Sequence, residues 1–268
     1  MIYDICAHTD RGVTRSTNED SVVFDAKTQI CILADGMGGY NAGEVASEMA
    51  TTFIKVEMSR WLSLAGPHAG AKEVRRALEI CVDNANRAIY HAGKANPQYA
   101  GMGTTLVVGV FRGAHLTLAH VGDSRCYRLR GKRFEQITKD HSFLQEQIDA
   151  GLITHEQALT SVNRNLVTRA MGVEGFVVPE IHEHHVEPED VYLMCSDGLS
   201  DMVGDAMLET VLRQAGSLEH KAQAFIHEAN ACGGRDNISV LLAQAKGKHV
   251  VKRSGLFAKL SYFPQLAP

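Results

Sequence analysis

The chain has 268 residues, 45% of them hydrophobic and 22% charged, so it is long enough to bury a large core without disulfides or a structural metal. A formal net charge of −4 argues against nucleic acid as a partner, because that surface calls for a strongly basic face. Six cysteines, at 6, 31, 81, 126, 195 and 232, form no Cys-x-x-Cys pair and sit mostly in apolar runs, which predicts free thiols in a reducing compartment.

The start, Met1-Ile2-Tyr3-Asp4, lacks the basic and apolar regions of a signal peptide. No apolar run approaches the ~18 residues of a membrane span, so a cytoplasmic protein is expected. Runs rich in Val, Ile, Leu, Thr and Tyr predict strands over 3–8, 21–24 and 29–34. Apolar residues spaced by three and four then predict helices over 43–64 and 71–94. Strands follow over 104–111, 115–121 and 125–129, separated by Gly113, Gly122-Asp123 and Arg130-Gly131 closely enough for antiparallel hairpins. Residues 139–176 are polar and read as a mobile excursion. Strands over 177–186 and 191–195, a short helix over 205–215 capped by Asp205, a helix over 217–232 and a strand over 238–243 complete the pattern. Helices grouped between runs of strands predict antiparallel sheets covered by helices, not a parallel βαβ sheet.

Four aspartates share one local context. Asp35 follows Ile32-Leu33-Ala34, Asp123 follows His120-Val121-Gly122, Asp197 follows Met194-Cys195-Ser196, and Asp236 precedes the last strand. Each is expected where a buried strand meets a turn, at the rim of a sheet. Any one of them alone reads more readily as a cap or turn residue. Four together suggest a site, because converging carboxylates repel unless cations neutralise them. Hard divalent ions such as Mg²⁺ and Mn²⁺ choose oxygen ligands, and the paired Cys and His spacings of zinc sites are absent. Arg15-Ser16-Thr17-Asn18-Glu19-Asp20 adds a guanidinium suited to phosphate ahead of an acidic pair that could hold metal-bound waters, although the hexapeptide taken alone reads equally as a solvated charged turn.

In order along residues 3–244 stand Arg15–Asp20 (R-x-x-N-E-D), Asp35-Gly36-Met37-Gly38-Gly39, Gly103-Thr104-Thr105, Gly122-Asp123-Ser124-Arg125, Ser196-Asp197-Gly198-Leu199-Ser200-Asp201 and Gly234-Arg235-Asp236-Asn237. This ordered set resembles the metal-dependent protein phosphatases of the PP2C type, in their compact bacterial form. The resemblance implies an α+β fold, a four-layer α-β-β-α sandwich of two antiparallel sheets flanked by helices. It implies a phosphatase domain over 1–245 with a flap at about 139–176, leaving a basic tail over 246–268. By residue, it implies that Asp35 bridges two metals, that the Gly36 carbonyl binds one of them, and that Asp197 and Asp236 complete the pair. Asp123 with Asp197 would hold a third ion, Glu19 and Asp20 would act through metal-bound water, and Arg15 would grip the substrate phosphate. The implied cofactors are two or three Mn²⁺ or Mg²⁺ ions. The implied reaction is in-line attack of a metal-activated water on phosphoserine or phosphothreonine.

The implied partners are phosphoprotein substrates and an opposing bacterial serine/threonine kinase, and the short domain with its tail has a likeness to phosphatases associated with type VI secretion. Two departures stand out. Met37 occupies a position where some relatives carry His, and Ser161-Val162-Asn163-Arg164-Asn165 replaces a frequent His-Pro ahead of the flap's Asn. The alternatives are a two-metal hydrolase of small phosphate esters, and an inactive relative that binds phosphoproteins. His182, His184 and His185 read as exposed strand residues, since alternation splits His184 from His185. His120 and His141 read as hydrogen-bonded structural groups near Asp123. The tail carries Lys246, Lys248, Lys252, Arg253 and Lys259 among apolar residues, the pattern of a loose terminus or of a segment that meets an anionic surface or a partner groove.

Overall fold

The computed structural model describes residues 1–39, 42–66, 69–154, 157–158, 161 and 166–247. The elements, in chain order, are β1 (Ile2–Asp10), β2 (Asp20–Asp25), β3 (Ile30–Met37), α1 (Ala42–Ala65), α2 (Ala71–Ala95), a 3₁₀ turn (Pro97–Tyr99), β4 (Gly103–Thr104), β5 (Leu106–Arg112), β6 (His115–Val121), β7 (Arg125–Arg130) and β8 (Arg133–Gln136). There follow α3 (Phe143–Asp149), β9 (Glu180–His185), β10 (Val191–Cys195), α4 (Asp197–Ser200), α5 (Asp205–Arg213), α6 (Leu218–Ala231) and β11 (Ile238–Lys246). Two antiparallel sheets form, with strand orders β1-β11-β10-β7-β8 and β2-β3-β5-β6-β9, and β4 pairs with β3.

Strand alternation builds the layers. On β11, Ile238, Val240 and Leu242 pack with residues of α5 and α6, while Leu241, Ala243 and Ala245 face the other sheet. On β3, Ile30, Ile32 and Ala34 pack under α1 and α2, while Cys31 joins the inter-sheet core. Strands buried on both faces carry continuous apolar runs, which is why these were conspicuous in the sequence. The result is the expected sandwich: two antiparallel sheets face to face, flanked by helices.

Several local expectations are corrected. The predicted strand over 104–111 breaks at Thr105, whose Oγ1 accepts the Asp35 N–H at 3.0 Å and whose own N–H bonds the Asp35 carbonyl at 2.9 Å. Strand β8 escaped notice because Arg133-Phe134-Glu135-Gln136 is mostly polar, and pairs as an edge hairpin with β7. The short helix after Gly204 is not capped by Asp205. Gly204 is its N-cap, without a side-chain hydrogen bond, and Asp205 lies in the first turn, where its charge suits the helix dipole. All six cysteines are free; Cys31, Cys81, Cys126 and Cys195 are buried, whereas Cys232 is exposed.

The excursion at 139–176 holds α3, capped by Ser142, and its two ends are stitched to the core. Phe143 N–H bonds Leu166 O at 2.9 Å, and Met171 N–H bonds Thr104 O at 2.8 Å. Residues 162–165 of the departure noted above, and 248–268 of the tail, lie outside the described residues. The tail's first residue, Lys246, instead closes β11 opposite Ile2. Among the described residues no helix is long and apolar enough to cross a membrane.

Candidate active site

The site begins with the pairing of β2 and β3. Their register sets Asp20 directly opposite Asp35, so two carboxylates meet on one face of the sheet. Asp35 lies within β3, two residues before its end, not beyond it as the turn signal Gly36 suggested. Gly36 is needed because α1 approaches there: a Cβ at Gly36 would strike the Gly43 and Glu19 carbonyls. The Glu19 carbonyl also accepts Gly36 N–H at 3.1 Å and Ser47 Oγ at 2.6 Å, fixing the end of the Arg11–Glu19 segment against α1.

From the other sheet, β10 delivers Ser196 and then Asp197, the first residue of α4. Ser196 Oγ donates to Asp20 Oδ2 at 2.8 Å and accepts from Ser239 N–H at 2.9 Å, joining the two sheets. The turn before β11 supplies Asp236 and Asn237. Asn237 acts as a clamp: its Nδ2 donates to Arg11 O at 2.9 Å and Thr17 O at 2.8 Å, and its Oδ1 accepts Glu19 N–H at 2.8 Å. Asp236 Oδ1 accepts Asn237 N–H at 2.8 Å, and its Oδ2 holds Arg15 Nη2 at 2.7 Å. Asp123 follows Gly122, whose positive φ of 100° opens the turn after β6.

Arg15, Glu19, Asp35, Gly36, Asp123, Asp197 and Asp236 all line one cavity of about 300 Å³, together with Met37, Thr105, Val167 and Asn237. Asp20 sits behind Asp35. All eight residues singled out in the sequence therefore converge. A larger hollow of about 430 Å³, lined by Lys27, Leu62 and Arg112 among others, contains no carboxylate, so size does not mark the site.

Electrostatics give this cavity its character. Burial, then the charges of Asp20, Asp197, Asp123 and Asp236, pushes the Asp35 carboxyl well above its usual range, although part of its surface faces the cavity. Burial and Asp123 do the same to Asp197. Burial lifts Asp20 to about 6 despite hydrogen bonds from Ser239 and Ser196. Burial and the nearby Asp140 lift Asp123 to about 6. Burial also raises Glu19. Two oxygens, Asp20 Oδ1 and Asp197 Oδ1, are buried without a hydrogen-bond partner. Crowded carboxylates with orphaned oxygens, and no imidazole or thiol on the wall, fit hard divalent cations.

The imidazoles nearby serve the frame. His120 Nε2 bonds Lys139 O at 2.8 Å and stacks on His141, whose Nδ1 accepts Gly122 N–H at 3.1 Å. They tie the base of the excursion to the Asp123 turn. Arg125 adds a guanidinium on Asp140, with Nη2–Oδ2 at 2.7 Å. His182 and His185 are exposed on the edge strand β9 as expected, whereas His184, on the strand's other face from His185, is half-buried. The sequence motifs contain Ser196, Asn237 and Thr105 but mark no role for them. Ser196 and Asn237 directly adjoin Asp197 and Asp236, and Thr105 closes the Gly103-Thr104-Thr105 motif; those positions were the signal available.

Comparison with known proteins adds independent findings. The sequence model of the family described as Protein phosphatase 2C matches residues 9–231. Over 239 residues the chain is 39% identical to the serine/threonine phosphatase stp of Listeria innocua serovar 6a, covering 88% of this chain and 93% of that protein. The solved catalytic domain of the serine/threonine protein phosphatase PstP in complex with two manganese ions superposes with a TM-score of 0.80 at 36% identity, covering 92% of this chain and 99% of that one. PppA, described as a key regulatory component of T6SS in Pseudomonas aeruginosa, superposes with a TM-score of 0.79 at 30% identity, covering 91% and 98%.

Proposed function

This chain belongs to the protein phosphatase 2C family, a metal-dependent serine/threonine protein phosphatase acting on phosphoproteins, and from that premise we propose how its own residues divide the work. Asp35, the Gly36 carbonyl, Asp197 and Asp236 hold a pair of divalent ions, Mn²⁺ or Mg²⁺. Asp123 together with Asp197 holds a third. Glu19 and Asp20 would act on such a site through water. The observation that carries this reading is the pair of buried, partnerless oxygens on Asp20 and Asp197 among carboxylates that repel one another.

When bound, the ions supply compensating positive charge and the Lewis acidity that activates water and polarises a phosphoryl group. The protein's own contribution is positional. Asn237 and Ser196 lock Asp236, Asp20 and Glu19 in place before substrate arrives. Arg15, more than half exposed at the mouth, exchanges Asp236 for the oxygens of the incoming phosphate and stabilises charge there as the ester bond breaks. Met37 lines the cavity where an imidazole would have offered a proton, so the leaving serine or threonine oxygen takes its proton from water. The catalytic unit is the domain 1–245. Its physiological counterpart is a bacterial serine/threonine kinase, and the likeness to PppA favours a system linked to type VI secretion.

Metal content and turnover in Asp35→Asn and Asp197→Asn test the assignment. Both variants should bind fewer ions per chain and lose turnover of phosphoserine and phosphothreonine peptides by three orders of magnitude or more. Native metal content with wild-type turnover would refute it. Nucleotides and cyclic dinucleotides assayed in parallel should be poor substrates.

A further inference from the structure

We propose that Cys6, His8 and Glu219 form a second cation site, distinct from the carboxylate cavity, selective for a thiophilic divalent ion of the zinc class. Cys6 and His8 are two residues apart on β1 and so project from the same face. Their partners across the ladder, Leu242 and Val240, belong to the core beneath α5 and α6, so both side chains point to the helical layer at the sheet's open edge. Ser217 caps α6 by accepting His220 N–H at 3.2 Å, which sets Glu219 over that edge strand.

The three donors already converge. Glu219 Oε1 lies 2.7 Å from His8 Nε2, Glu219 Oε2 lies 3.1 Å from Cys6 Sγ, and all the donor atoms lie within 4.8 Å of one another. A tetrahedral ion with bonds of about 2.0–2.3 Å separates its ligands by about 3.5 Å, so only a small opening of the trio is required. Gln223 Nε2 donates to Glu219 Oε1 at 3.0 Å, an outer contact of the kind that orients a ligating carboxylate. His8 and Glu219 are 30% and 56% exposed, which leaves an entry path and a fourth position for water.

The donor set of sulfur, nitrogen and oxygen separates this site chemically from the all-oxygen cavity and favours zinc over magnesium or manganese. In the metal-free trio the thiol keeps its proton, since burial and then Glu219 push the Cys6 pKa up to about 12. A bound dication takes the place of that proton and turns the thiolate–carboxylate repulsion into shared attraction. Occupancy would rivet the edge strand β1 to α6. It would do so just ahead of the segment that carries Arg15.

Cobalt titration of the chelator-stripped full chain, read by the thiolate-to-cobalt charge-transfer absorption, separates this site from the catalytic one, which has no sulfur ligand. The expected result is one such centre per chain, displaced by Zn²⁺. The band should vanish in Cys6→Ser, lose at least about tenfold in apparent affinity in His8→Ala and Glu219→Ala, and persist in Cys232→Ser. Absence of the band in the wild-type chain, or its survival in Cys6→Ser, would overturn the proposal. Should Cys6→Ser fail to fold, Glu219→Ala at the surface decides, and wild-type cobalt affinity there refutes the site.

Discussion

Gly198 stands between Asp197 and the rest of α4, and its missing side chain is a structural requirement. A Cβ there would lie 2.9 Å from the Asn237 carbonyl carbon and 3.3 Å from Asp236 Cβ, and would overlap the Asn237 carbonyl oxygen by about 1.5 Å relative to ordinary contact. Asn237 cannot retreat, because its side chain is bonded to Arg11 O, Thr17 O and Glu19 N–H. The displacement therefore passes to Asp197 or Asp236, both of which line the cavity. A misplacement of about 1 Å in a catalytic constellation costs on the order of 100-fold in rate, or roughly 3 kcal/mol of barrier. Gly198→Ala should lower kcat/KM on a phosphothreonine peptide by at least that factor and weaken the Mn²⁺ activation midpoint. Overpacking should also cost about 1–3 kcal/mol of stability in denaturant titrations. The control is Gly204→Ala, where φ is −69° and no atom lies within 4 Å of the added Cβ. Its kcat/KM should stay near wild type. A folded Gly198→Ala enzyme with undiminished kcat/KM and metal response would refute the steric reasoning.

The crowded carboxylates make a further claim about pH. Asp20 and Asp123 titrate in the folded state near 6, above the ordinary aspartate value of about 3.9, so between those values the native state binds more protons and stability falls as pH rises. In chelator, the Tm of Asp35→Asn minus that of wild type should grow from about pH 4 to above pH 6, and Mn²⁺ should abolish the gain; a difference that is flat with pH would count against mutual repulsion. Arg15→Ala should reduce kcat/KM by about 10–100-fold while leaving bound metal per chain unchanged, as expected of a group that meets phosphate and not cations. With Met37 in the cavity, the kcat profile should show no limb from an imidazole acid between about pH 6 and 7. An acidic group titrating there, removed by His141→Gln, would contradict the assignment of His141 to the frame.

The local reading succeeded where a segment's fate depends on its own residues. Helices α1, α2 and α6 showed themselves through spacing, and β3, β10 and β11 through apolar runs that both faces of a buried strand demand. It failed where a neighbour decides. Thr105 leaves its strand because Asp35 takes both its hydroxyl and its N–H. The Arg133–Gln136 edge exists because β7 offers a partner to a polar segment.

Residue type and order along the chain determined the chemistry this protein can do: hard oxygen donors, a guanidinium for phosphate, and glycines where backbones must touch. Only tertiary structure decided which groups meet. The β2–β3 register sets Asp20 on Asp35, Asn237 reaches back 220 positions to Thr17, and Glu219 arrives over Cys6 and His8 from more than 200 residues away. Such encounters are set by how sheets and helices pack, and packing is a property of the whole chain that no short window of residues contains.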